Sequence, residues 1–140
     1  MFEWNNDYSV GIEEIDKQHK HLIGIGSELM GLIKHHSNDD LYDDVIDAVE
    51  RMKDYTVYHF ATEERMLAQA GFEGLEDHKI EHSNFIDKLN EVDLSNLEDN
   101  QAEFIMDILK FISTWIFKHI IGSDFEYREV MSASLANAAN

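Results

Sequence analysis

The sequence predicts an all-α protein, an up-down-up-down four-helix bundle with an extended N-terminal arm, and three observations lead there. Apolar residues recur at steps of three and four in four separate segments, the period of a helix face. The stretches between these segments are short and polar or carry glycine, which makes consecutive helices antiparallel neighbours. Proline, which breaks helix interiors, is absent from all 140 residues.

Taken in order, residues 1–12 form the arm. The first helix is expected over about 13–36, with Ile12, Ile15, His19, Leu22, Gly26, Leu29 and Ile33 on one stripe. The second, about 39–70, carries Val45, Val49, Met52, Tyr55, His59, Glu63, Met66 and Ala70. The third, about 75–92, carries His78, His82, Phe85, Leu89 and Val92. The fourth, about 97–121, carries Ile105, Ile108, Ile112, Trp115 and His119. The connections are His36-Ser37-Asn38-Asp39, Gly71 to Gly74, and Asp93 to Asn100. Gly71 suits a left-handed helix C-terminus, and Ser95 with Glu98 suits a capping box for the last helix. The small, polar ending from Ser132 frays, so one domain over 1–130 is expected, with a flexible tail over 131–140.

Composition excludes several functions. With no cysteine, disulfides, iron–sulfur clusters and thiol chemistry are out. A net charge of −18 repels nucleic-acid phosphates and anionic membrane surfaces. The N-terminus has neither the basic nor the apolar region of a signal peptide, and no apolar run is long enough to span a bilayer. The protein is expected in the cytoplasm, with a separate protein partner and the oligomeric state left open.

Six polar residues fall where the core should be: His19, His59, Glu63, His78, His82 and His119 all lie on the apolar stripes. Burying them costs several kcal/mol unless each finds a partner, and a metal would give them one. A single histidine on such a stripe is more often a hydrogen-bonded core residue, and the pairs His59/Glu63 and His78/His82 could each arise by chance. Their joint placement is more informative. His19 is early in the first helix, His59 and Glu63 late in the second, His78 and His82 early in the third, and His119 late in the fourth. In an antiparallel bundle these places share one end. Asp124, five residues after His119, would not share its face on a regular helix, so a break at Gly122 is expected to turn it back inward.

These residues also carry a resemblance. Trp4 to His19, with Tyr8-Ser9-Val10-Gly11-Ile12 and Ile15-Asp16-Lys17-Gln18-His19, resembles the opening of a bacterial hemerythrin. His59-Phe60-x-x-Glu63-Glu64 is similar to that family's second motif, His78-x₃-His82 to the third, and His119-x₄-Asp124-x₂-Tyr127 to the fourth. The likeness covers about residues 4–127. Myohemerythrin, a relative, is itself an up-down-up-down bundle. Phe125 departs from the lysine that many members carry there.

The resemblance implies two non-haem iron ions with a bridging oxo or hydroxo group. His78, His82 and His119 would bind one iron, His19 and His59 the other, and Glu63 and Asp124 would bridge them. His21, His35 and His36 fit no ligand position and are expected at the surface. By ligand type alone zinc remains a competitor; the resemblance selects iron. Two six-coordinate irons held this way keep one open position, on the two-histidine iron. There O₂ would bind reversibly as hydroperoxide, for oxygen storage, delivery or sensing. A dry pocket would protect it, and helical offsets nominate Leu22, Phe60, Trp115, Ile116 and Ile120, which also serve as core. Oxygen-activating diiron enzymes on similar bundles use more carboxylates, so a binding protein is expected rather than an enzyme. The rival readings are a peroxidase-like or oxidase-like diiron enzyme and an iron-binding or storage module.

Overall fold

The computed structural model describes residues 3–34, 42–92 and 101–139. Among them every regular element is helical: α1 (Glu13–Lys34), α2 (Tyr42–Ala70), α3 (Leu75–Asn90), α4 (Gln101–Lys118), a π-helical turn (His119–Asp124) and α5 (Arg128–Ala139). A short 3₁₀ turn, Asn6–Tyr8, interrupts the arm. The connections 35–41 and 93–100 lie outside the described residues, and with them His35, His36 and the Ser95/Glu98 capping box. No described helix is long and apolar enough to cross a membrane.

Local chemistry sets the helix ends. Glu13, Glu14 and Asp16 open α1, and Glu76 and Asp77 open α3, where the positive end of the helix dipole favours anions. Asp16 also ties down the arm, accepting from Ser9 Oγ at 2.5 Å and from the Val10 N–H at 2.8 Å. Gly71 ends α2 with φ of 69°, as its position suggests, and the Phe72 N–H closes back on the Leu67 carbonyl at 3.1 Å.

α1 packs on α2 and α4, and α2 packs on α3 and α5. The buried faces form two apolar clusters. The larger includes Leu22, Ile25 and Leu29 of α1, Val49, Met52 and Phe60 of α2, Phe85 and Leu89 of α3, and Ile105, Ile112 and Ile116 of α4. The smaller comprises Val10, Ile12, Ile15, Leu67, Tyr127 and Met131. Along each long helix the predicted polar residues sit beside or between these clusters. His19 lies between Ile15 and Leu22, Glu63 lies between Phe60 and Leu67, and His82 precedes Phe85. The polar layer is therefore sealed by apolar side chains from both directions.

Two expectations about the C-terminal region are corrected. The fourth helix neither ends at 121 nor breaks at Gly122, which has no positive φ. The backbone instead widens into the π turn, where the Phe125 N–H reaches the Ile120 carbonyl five residues back. Residues 131–139, expected as a flexible tail, are helical and form part of α5. The run Met131-Ser-Ala-Ser-Leu-Ala-Asn-Ala-Ala contains four alanines, which favour a helix, and Met131 anchors it at 1% exposure.

Candidate metal centre

The seven polar residues converge, and all are buried, from 0% exposed for Glu63 and Asp124 to 5% for His119. α1 supplies His19, α2 supplies His59 and Glu63 one turn apart, and α3 supplies His78 and His82 one turn apart. The π turn supplies His119 and Asp124. Its ring of hydrogen bonds closes over five residues instead of four, so residues five apart share a face. That geometry meets the requirement for which a helix break was expected.

The two carboxylates divide the histidines into two groups. Glu63 Oε2 lies 3.2 Å from His59 Nε2 and 3.7 Å from His19 Nε2. Its other oxygen, Oε1, contacts His78 Nε2 and lies 3.2 Å from His82 Nε2. Asp124 repeats the division. Oδ2 is 3.2 Å from His19 Nε2, while Oδ1 is 3.1 Å from His78 Nε2 and 3.0 Å from His119 Nε2. Glu63 thus turns one oxygen to His19 and His59 and the other to His78, His82 and His119, and Asp124 turns one oxygen to His19 and the other to His78 and His119. Donor atoms of Glu63, His78, His82 and His119 lie within 4.8 Å of one another, as do those of His19, His59 and Glu63.

Partners on the far side of the rings fix which nitrogen faces inward. His82 Nδ1 is 2.9 Å from a Glu64 oxygen, and His119 Nδ1 is 2.6 Å from a Glu81 oxygen that also accepts from Ser123 Oγ at 2.6 Å. His59 Nδ1 is 2.7 Å from Gln18 Oε1, and the amide nitrogen of Gln18 donates to Glu14 at 2.8 Å. Each of these Nδ1 atoms must donate its hydrogen outward, which leaves Nε2 directed at the centre. Gln18, Glu64, Glu81 and Ser123 were not singled out as site residues from the sequence, although Gln18 and Glu64 lie inside the quoted motifs.

The donor set fits a pair of cations. His82 Nε2 and His119 Nε2 face each other at 3.1 Å, a distance at which two bare lone pairs repel, so either a proton on one ring or a cation between them is required. Both nitrogens of His19, both oxygens of Asp124, Glu63 Oε2 and the Tyr127 hydroxyl are buried without a hydrogen bond. His19 Nε2 and Asp124 Oδ2 are close enough for one but lack the alignment. Donor atoms about 2.0–2.1 Å from one ion and at right angles lie about 3 Å apart, the spacing that recurs here.

Protons compete for the same atoms. Burial pushes the His119 imidazole down, but the Asp124 and Glu63 carboxylates outweigh it and hold it up to about 10. The same opposition holds His19 and His78 up to about 9. Burial prevails at His59, whose pKa is lowered. Burial and Glu63 push Asp124 up, yet the surrounding imidazoles bring it down to about 2. Tyr127 is pushed well above its ordinary value by burial and by Glu63 and Asp124, so its hydroxyl stays neutral.

Beside the centre lies a small cavity of about 10 Å³, lined by His19, His59, His119, Thr56, Phe85 and all five nominated residues, Leu22, Phe60, Trp115, Ile116 and Ile120. Thr56 and Phe85 were missed in the sequence reading. The Thr56 hydroxyl is occupied by the Met52 and Lys53 carbonyls, both at 2.9 Å. His21 is exposed and its ring lies tilted against Tyr55, with centroids 4.1 Å apart, away from the centre.

Residues 10–129 match the model of the hemerythrin HHE cation binding domain. A bacteriohemerythrin of Clostridium acetobutylicum is 35% identical over 127 residues, covering 91% of this chain and 98% of that protein. One from Stenotrophomonas maltophilia is 31% identical, over 96% of this chain and 84% of its own length. A hemerythrin-like protein of Naegleria gruberi is 28% identical over 93% of both chains.

Proposed function

The chain belongs to the hemerythrin family, and from that premise we propose that it is a diiron protein that binds O₂ reversibly for storage, delivery or sensing. The reading assigns one iron to His78, His82 and His119, the other to His19 and His59, and the bridging positions to Glu63 and Asp124, within an up-down-up-down bundle. The observation that carries it is the division of each carboxylate's two oxygens between the two histidine groups. A carboxylate between two ions in a dry site meets that arrangement; one serving a single ion has no need of it.

A bound iron pair supplies the electrons for reversible O₂ binding. The chain's own residues prepare the place for it. Both histidines of the two-histidine position, His19 and His59, line the small cavity, against only His119 of the other three, so the free space lies mainly beside the two-histidine position. Leu22, Phe60, Trp115, Ile116 and Ile120 make the rest of that wall largely apolar. A cavity needs roughly 10–15 Å³ to admit one water, so this one is at the lower limit for a guest of that size. Val10, Ile12, Ile15, Leu67 and Met131 close the opposite side. These residues bind, orient and exclude water, and the site is read as that of a binding protein rather than an enzyme.

Metal analysis combined with an optical O₂ cycle tests the proposal. The expected result is two irons per chain and a spectrum that changes under O₂ and reverts under argon. A reproducible single metal, or stoichiometric zinc that iron does not replace, refutes the diiron assignment. Steady peroxide turnover without a reversible spectrum favours an enzyme.

A further inference from the structure

We propose that Glu64 and Glu81 make the two metal positions unequal, so that the three-histidine position binds its ion more tightly and favours the ferric state. The inference rests on the diiron reading above and goes beyond it, since Glu64 and Glu81 touch no ion. They are positioning residues that act through His82 and His119.

The asymmetry lies in what the outer ring nitrogens meet. In the three-histidine group, His82 and His119 each donate to a carboxylate, Glu64 at 2.9 Å and Glu81 at 2.6 Å. In the two-histidine group, His59 donates to the neutral amide oxygen of Gln18 at 2.7 Å, and His19 Nδ1 is buried with no partner. One position therefore has two anionic acceptors behind its ligands, and the other has none in direct contact.

An anionic acceptor draws the Nδ1 proton outward and raises electron density on Nε2, which makes the ring a stronger donor to metal. A hydrogen bond to an ionised group is also about twice as strong as a neutral one. Both effects favour a trivalent ion over a divalent one. Glu64 and Glu81 are 26% and 44% exposed, so solvent screens their field through space, but the effect through the hydrogen bond remains. Ser123 donates to the same Glu81 oxygen as His119. That hydroxyl belongs to the π turn, so Glu81 is aimed by the same backbone feature that presents His119.

Glu81→Gln and Glu64→Gln separate charge from geometry, because the amide oxygen still accepts the Nδ1 hydrogen. Glu126→Gln is the control. Glu126 lines the same surface hollow as Glu81 but makes no hydrogen bond to a ring. The first readout is stepwise Zn²⁺ affinity, by competition with a chromophoric chelator. Losing a partner behind a ligand costs about 10–100-fold in affinity, and the retained hydrogen bond puts Glu81→Gln and Glu64→Gln near tenfold. That loss should fall on the tighter of the two zinc constants and leave the weaker in place. The second readout is the reduction potential of the iron-loaded protein. The lower of the two midpoints should rise by about 59 mV for each tenfold by which ferric affinity falls beyond ferrous affinity. Gln18→Ala should weaken only the looser zinc site. Unchanged constants and potentials in both Glu→Gln variants overturn the proposal. So does an equal fall in both zinc constants, or an equal effect of Glu126→Gln. A wild-type chain that takes up fewer than two zinc ions overturns the diiron reading itself, before any variant is compared.

Discussion

Replacing Leu22 with alanine separates a pocket wall from ordinary core, because Leu29 offers a matched control on the same helix. Leu22 is 2% exposed and Leu29 is 0% exposed, and both belong to the larger apolar cluster. Removing three buried carbons costs about 2.4 kcal/mol at about 0.8 kcal/mol each. Unfilled volume of roughly 50 Å³ adds about 1.2 kcal/mol. Both variants should therefore lose about 3–4 kcal/mol, read from urea midpoints. Only Leu22 lines the cavity beside His19 and His59; Leu29 lies about 10 Å further along the helix. Opening a cavity already at the threshold for one water should let water reach bound O₂. One added hydrogen bond, worth about 1–1.5 kcal/mol, corresponds to about a tenfold faster decay of the O₂ complex. Decay is followed optically in iron-loaded, folded protein. If Leu22→Ala decays at the wild-type rate, or Leu29→Ala accelerates equally, the cavity has no protective role.

Two further outcomes follow from the site. His78→Ala, at a ring 3% exposed beside Glu63 and Asp124, should reduce iron affinity by at least 10–100-fold, whereas His21→Ala should leave iron content unchanged; equal content in the two variants refutes the ligand assignment. In chelated, metal-free protein, His19, His78 and His119 are held up to about 9, 9 and 10 from an ordinary 6.5. Their contribution to stability is complete below pH 6.5 and is lost as pH rises through 9 to 10. Asp124, held down to about 2 from 3.8, contributes above pH 3.8 and loses its effect as pH falls through 2. His59, lowered by burial, detracts below 6.5. Metal-free protein should thus weaken between pH 6.5 and 9, while metal-loaded protein should not, because metal binding requires the same rings deprotonated. Urea midpoints across that range check it, and a metal-free midpoint that stays level or rises refutes it.

The convergence was legible in the sequence because it violates the pattern around it. Six polar side chains on apolar stripes stand out, and their positions within each segment specify one end of a bundle. The pocket residues followed by the same rule, one turn from each ligand. Gln18, Glu64 and Glu81 obey no such rule. The acids lie among 29 acidic residues, at partly solvated positions where a carboxylate is unremarkable. α5 was missed for a related reason. Its pattern is only weakly amphipathic, with Met131 its one buried apolar residue among those described, and its small polar residues resemble a tail.

The π turn was hidden differently, since no residue type announces it. A spacing of five residues from His119 to Asp124 poses a geometric problem with two backbone solutions, and Gly122 made a break the more natural reading. A break at Gly122, which is exposed, would give up helical hydrogen bonds to solvent and would not by itself aim Asp124 inward. Widening one turn keeps the chain helical, brings His119 and Asp124 onto one face, and reorients everything downstream. That reorientation places the Tyr127 ring 5.5 Å from His78 and buries Met131 against Val10, Ile12, Ile15 and Leu67. The same extra residue in the turn therefore completes the cluster of donors and brings in the apolar cap that keeps it dry. A buried carboxylate is costly without positive charge beside it, so the turn is useful only if protons or cations occupy the centre it completes.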